Sequence, residues 1–341
     1  MTVEDRADEY WEQLTRRNPP EALVAAVAGG ERRLDVDGAV LVVQHLLQLR
    51  EFDAADQVLA AAASDEDPAV RAAGQVGVAW RELIRGGPRR ARAALRRAEA
   101  CGDREVVEEA RFARAMFLSL KGDREQSSAL MRACLDSPRP RVAADASLEL
   151  GFLLVRDRTR REQGLRLLEA AHASGYGYIE ARAALELADQ TMETAPVPLP
   201  APERSRVVSL LEQARASGYP TVLAKAELLL GLTHWERREH EPARELWLAS
   251  LRRELPDSSV RAGIQFARAC VEDDGPGPLV AAQELAHALR AEPATAADKL
   301  VDVALGDRRP LQVAIALALT SAEKSPDRVL RRAAKRALRR F

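Results

Sequence analysis

A chain of 341 residues is too long for one core of ordinary size. Its composition, 47% hydrophobic with only 4% aromatic and 30% charged, excludes an all-β fold, a collagen-like chain and a disulfide scaffold. Net charge is −1, so no global field selects a polyanion or an acidic partner, although residues 328–341 carry seven cations and no acid. Of the 51 basic residues, 46 are arginine; this bias, with the abundant alanine, points to a GC-rich bacterial genome.

The N-terminus carries Glu4, Asp5, Asp8 and Glu9 where a signal peptide would be basic and then apolar. The longest apolar runs, Ala22 to Ala28 and Val313 to Leu319, are far short of the ~18 residues of a membrane span. The expectation is a cytoplasmic protein with no transmembrane segment. Cys101, Cys134 and Cys270 form no CxxC and read as reduced thiols in the core.

Along the chain, apolar residues recur at helical spacing and breakers interrupt them regularly. The interruptions are Asp65–Pro68, Gly86–Pro88, Gly102–Asp103, Gly122–Asp123, Ser137–Pro140, Gly175–Gly177, Gly218–Pro220, Pro256–Asp257 and Gly275–Pro278. Asp, Ser and Pro suit helix starts and Gly suits helix ends. Longer helices are predicted to start near Pro68, Asp103, Pro140, Tyr178, Pro220 and Ser258, at offsets of 35 to 42 residues. One helix pair of that size cannot cover its own apolar faces, so pairs must stack. The expected fold is all-α: one continuous α-solenoid of about eight antiparallel helix pairs. Residues 1–35 form N-terminal helices, 36–291 the repeats, and 292–341 C-terminal helices ending in a basic amphipathic cap. Pro196, Pro198, Pro200 and Pro202 make 194–202 an exposed extended loop, and the turn near Asp157–Arg161 is too long for a regular pair.

In 224–257, Leu230–Gly231, Ala243, Trp247 and Pro256 stand almost where the tetratricopeptide repeat has its Leu-Gly, small residue, aromatic and terminal Pro. Residues 108–140 resemble it more loosely through Ala115, Gly122–Asp123, Met131, Cys134 and Pro140, and 72–103 through Ala79, Ala91, Leu95 and Ala98. The resemblance implies a right-handed solenoid whose first helices line a concave groove. Its ligand-facing spacing falls on Val76, Trp80 and Leu83, on Phe112, Met116 and Ser119, and on Leu228, Leu232 and Trp235. A competing resemblance is to HEAT repeats, through Asp67-Pro68-Ala69-Val70-Arg71, Asp257-Ser258-Ser259-Val260-Arg261 and Asp327-Arg328-Val329.

No HExxH, P-loop, GxGxxG or GxSxG is present. His234 and His240, with Glu236, Glu239 and Glu241, read as a solvated turn, and Asp65-Glu66-Asp67 as a helix cap. No enzyme, cofactor or metal is expected. The leading reading is a non-catalytic scaffold or adaptor that takes a protein or peptide partner in its groove. The alternative is a HEAT-like array gripping nucleic-acid backbone through Arg331, Arg332, Lys335, Arg336 and Arg339, helped by the arginines near residue 90.

Overall fold

The computed structural model describes residues 11, 14–15, 20–28, 33–253, 255, 258–272, 276–291, 293–307 and 309–340. Eighteen helices and no strand occur among the described residues, and helices pack on their neighbours in sequence. The Pro256–Asp257 turn, the first half of Asp273–Pro278, the acidic N-terminus and Phe341 lie outside those residues.

Two compact units divide the chain, 1–190 and 191–341, where the sequence predicts one continuous array. The first holds α1 (Pro20–Ala28), α2 (Val36–Gln48), α3 (Phe52–Ala63), α4 (Pro68–Ile84), α5 (Pro88–Glu99), α6 (Arg104–Leu120), α7 (Arg124–Leu135), α8 (Pro140–Leu154) and α9 (Arg161–His172). It also holds most of α10 (Gly177–Thr194). The second holds α11 (Ala201–Ala216), α12 (Pro220–Glu236), α13 (His240–Arg252), α14 (Ser258–Val271), α15 (Pro278–Ala291), α16 (Pro293–Gly306), α17 (Arg309–Glu323) and α18 (Arg328–Leu338). In the first unit α2, α4, α6 and α8 also touch one another in order, which makes them a row. That row positions the candidate site.

Helix ends follow the punctuation of the sequence. Asp35, Asp67, Asp103, Asp123 and Asp327 cap α2, α4, α6, α7 and α18 by accepting backbone N–H bonds. Gly86, Gly102 and Gly122 take φ of 74–83° just after helix ends, a conformation other residues adopt only at a cost. At two of the HEAT-like starts the arginine four residues after the cap folds back. Arg71 donates to the Asp65 and Glu66 carbonyls, and Arg331 to that of Ser325.

The Pro-rich loop is shorter than predicted. It spans 195–200, because Pro202 sits in the first turn of α11, where the missing N–H has no helical partner to lose. Leu199 within it is buried, while Val197 is exposed.

Glycines let helices pack closely at several points. A Cβ on Gly231 would lie 2.3 Å from Trp247 Nε1, and one on Gly38 would lie 2.4 Å from Trp11 Cε2. At Gly164 a Cβ would meet Val155 N at 2.6 Å and the Gly151 carbonyl at 2.9 Å. Those are backbone atoms, so α8 and α9 must separate to admit a methyl. Gly164→Ala should therefore destabilise the first unit by about 1–3 kcal/mol despite its better helix propensity. Thermal unfolding followed by circular dichroism checks this, and an unchanged or raised melting temperature refutes it.

Candidate functional site

In the first unit the helix row and α10 enclose a cavity of about 180 Å³. Its apolar wall is Trp80, Leu83 and Ile84 of α4 with Phe112, Met116 and Leu120 of α6. Trp80 and Phe112 pack with ring centroids 6.3 Å apart, tilted by 47°. Ile84 and Leu120 are 50% and 67% exposed, so part of this wall is wet. Opposite chemistry comes from Asp145 and Glu149 of α8 and Tyr178 and Arg182 of α10.

Four of the predicted groove residues, Trp80, Leu83, Phe112 and Met116, thus meet at one cavity. Val76 does not: it is fully buried among the helices of the first unit. Leu228 is likewise buried in the core of the second unit, at 1% exposure. The reason is the shared register. Val76, Phe112 and Leu228 all stand eight positions into their helices and are all buried, Phe112 alone of them still lining the cavity, whereas Trp80, Leu83, Leu232 and Trp235, twelve and fifteen positions in, are half-buried. Leu232 and Trp235 are half-buried against the second core, Trp235 stacking on His240 at 4.3 Å and tilting against Trp247 at 5.5 Å.

Asp145, Glu149 and Arg182 escape periodicity because a charge on a helix reads as a solvent face. Each is held by a partner from another turn or helix. Arg182 donates to Glu149 at 2.6 Å, and Arg141 donates to Asp145 at 2.9 Å. Arg141 is 1% exposed, and it also pairs with Glu109 of α6 and lies 3.6 Å from Asp37 of α2. Arg139 approaches Glu109 at 3.2 Å and pairs with Asp37. Three helices are thereby joined by buried charge. The usable signal is positional: Glu109, Asp145 and Arg182 each stand five residues after the first residue of their helix.

Burial pushes the Asp145 carboxyl up to about 7 despite Arg141. Burial also lowers His45 of α2 to about 4. The folded chain therefore holds an extra proton on Asp145 between about 4 and 7, and that contribution to stability falls as pH rises through this window. At His45 the folded chain holds fewer protons than the unfolded chain between about 4 and 6.5, so stability rises with pH there. The two slopes oppose each other. Asp145→Asn should leave the His45 slope uncovered, and melting temperature should climb more steeply from pH 4 to 6.5 than in the parent. A slope equal to the parent's would refute the assignment.

Elsewhere the polar candidates are occupied. His234 bonds Glu239 at 2.6 Å, and no cluster able to hold a metal ion occurs among the described residues. Cys134 and Cys270 are buried, and burial raises both thiols to about 12. Cys101 departs from the expectation: it is exposed, at the end of a helix turn. On α18, Leu330, Ala333, Ala334 and Ala337 form the buried stripe, but Val329 is 63% exposed. Arg336 lies 3.4 Å from Asp298, and Arg340 pairs with Asp298 and Asp302 at 3.0 and 2.7 Å. With Arg331 turned to the Ser325 carbonyl, Arg332, Lys335 and Arg339 are the exposed cations of the candidate set without a partner among the described residues. No described helix is long and apolar enough to cross a membrane.

No protein-family model matches the chain, and no curated protein is significantly similar to it.

Proposed function

We propose that the chain is a non-catalytic interaction scaffold of tetratricopeptide-like, right-handed solenoid design, built of antiparallel helix pairs and working in the cytoplasm. Its first unit takes a peptide or partner helix against the row α2, α4, α6 and α8 together with α10. The observation that carries this reading is the cavity itself. Exposed apolar side chains from two helices face fixed charges from two others, so one surface offers both an anchor pocket and orienting groups. The nucleic-acid alternative is weakened because acids of α16 neutralise Arg336 of α18 and Arg340 just beyond it.

Selection of peptides from a random displayed library against the full chain tests the reading. Enriched peptides should share an apolar anchor residue, and Trp80→Ala should weaken them by about 2 kcal/mol or more, roughly thirtyfold in Kd. Trp235→Ala should leave them unchanged, since Trp235 belongs to the second unit. Equal retention by both variants would place the binding surface elsewhere.

A further inference from the structure

Within the first unit the connections α2–α3, α4–α5 and α6–α7 are three residues long, while that between α8 and α9 is six. The longer connection, residues 155–160, helps build a second concavity of about 520 Å³ that shares no lining residue with the first. One stripe of α7 supplies Arg124, Ser128 and Arg132, spaced by four. The connection supplies Arg156 and Arg160.

The connection is held by its own bonds. Asp157 accepts from the Thr159 backbone N–H at 2.9 Å and from its hydroxyl at 2.7 Å. Arg160 lies 3.6 Å from the same carboxylate. The Arg156 guanidinium sits 3.8 Å over the Phe152 ring, a cation–π contact that holds it near the connection. Arg124, Arg132 and Arg156 have no carboxylate partner among the described residues. Glu125 and Asp157 also line the cleft, so four cations face two acids and an excess of positive charge remains.

Four exposed arginines border one cleft with an excess of positive charge, and the ligand that neutralises it is a compact multivalent anion. Planar arginine forks match phosphate oxygens two at a time, and a serine hydroxyl adds a further donor. The volume is that of a small-molecule site. No aromatic ring lines the cleft, so a nucleic-acid strand would find charge there but no stacking platform. We propose that this cleft binds the diphosphate group of a small molecule.

Titration calorimetry of the full chain with inorganic pyrophosphate tests it. The expected result is saturable binding that Arg124→Ala/Arg132→Ala weakens by about tenfold or more, as loss of two charge-assisted contacts requires. Arg332→Ala/Lys335→Ala/Arg339→Ala, which removes three exposed cations elsewhere, should change it by less than about twofold. Arg156→Gln is a single exposed change that tests the connection should the double variant melt early, and it too should weaken binding. Absence of saturable binding, or equal weakening by the cleft and α18 variants, would overturn the proposal. So would binding of a single-stranded oligonucleotide, but not of pyrophosphate, with the same dependence on Arg124 and Arg132.

Discussion

Replacing Arg141 by Met should destabilise the first unit by about 3–5 kcal/mol, the cost of removing one member of a buried ion cluster. Arg141 and Glu109 are each 1% exposed, so neither can recover water when the other is lost. Without the guanidinium, Asp37, Glu109 and Asp145 would face one another with Arg139 as the remaining cation of the cluster. Methionine keeps much of the packed stem, which confines the effect to charge. The readout is hydrogen exchange at the amides of α6 and α8, which should accelerate by about a hundredfold or more if opening becomes easier by that amount. A change below about 1 kcal/mol, the range of surface pairs, would mean that Arg139 alone neutralises the cluster. The prediction also bears on the candidate site. Arg141 orients Asp145, so losing it should loosen the charged side of the cavity while leaving Trp80 and Phe112 packed.

Much of the fold is legible in the sequence because local physics decides it. Pro68, Pro140 and Pro220 open helices, Gly86, Gly102 and Gly122 close them, and Asp67 and Asp327 cap where their spacing predicts. Small residues opposite large ones also transmit the pairing of α12 with α13. The candidate site is legible only in its apolar half. Trp80, Leu83, Phe112 and Met116 follow from the ligand-facing spacing that the resemblance implies, but Asp145 and Arg182 acquire meaning only from partners on other helices. Val76 and Leu228 show the opposite error: a ligand-facing spacing taken from a resemblance cannot report which neighbouring helix covers a position. The basic stripe of α18 shows it again, since Asp298 and Asp302 lie some forty residues away from the arginines they meet.

Trp247→Ala should destabilise the second unit by about 3–5 kcal/mol, the range for emptying an aromatic-sized core site. Trp247 is 1% exposed, and its indole fills the space left by the missing side chain of Gly231. Its Nε1–H donates to the Leu228 carbonyl at 3.1 Å, so truncation removes a buried hydrogen bond together with the ring. Trp247→Phe separates the two contributions. It retains most of the apolar volume and loses the donor, and it should cost about 1–2 kcal/mol less than alanine does. Gly231→Ala approaches the same contact from the other side, because the added methyl cannot coexist with an indole whose nearest atom would be 2.3 Å away. Combining Gly231→Ala with Trp247→Phe should then cost less than the sum of the two single changes, since the smaller ring leaves room for the methyl. Chemical unfolding followed by circular dichroism, with exchange at the amides of α12 and α13, measures all four variants. Strict additivity would show that the glycine and the tryptophan act independently, and the Leu-Gly and Trp resemblance of 224–257 would then have no packing basis.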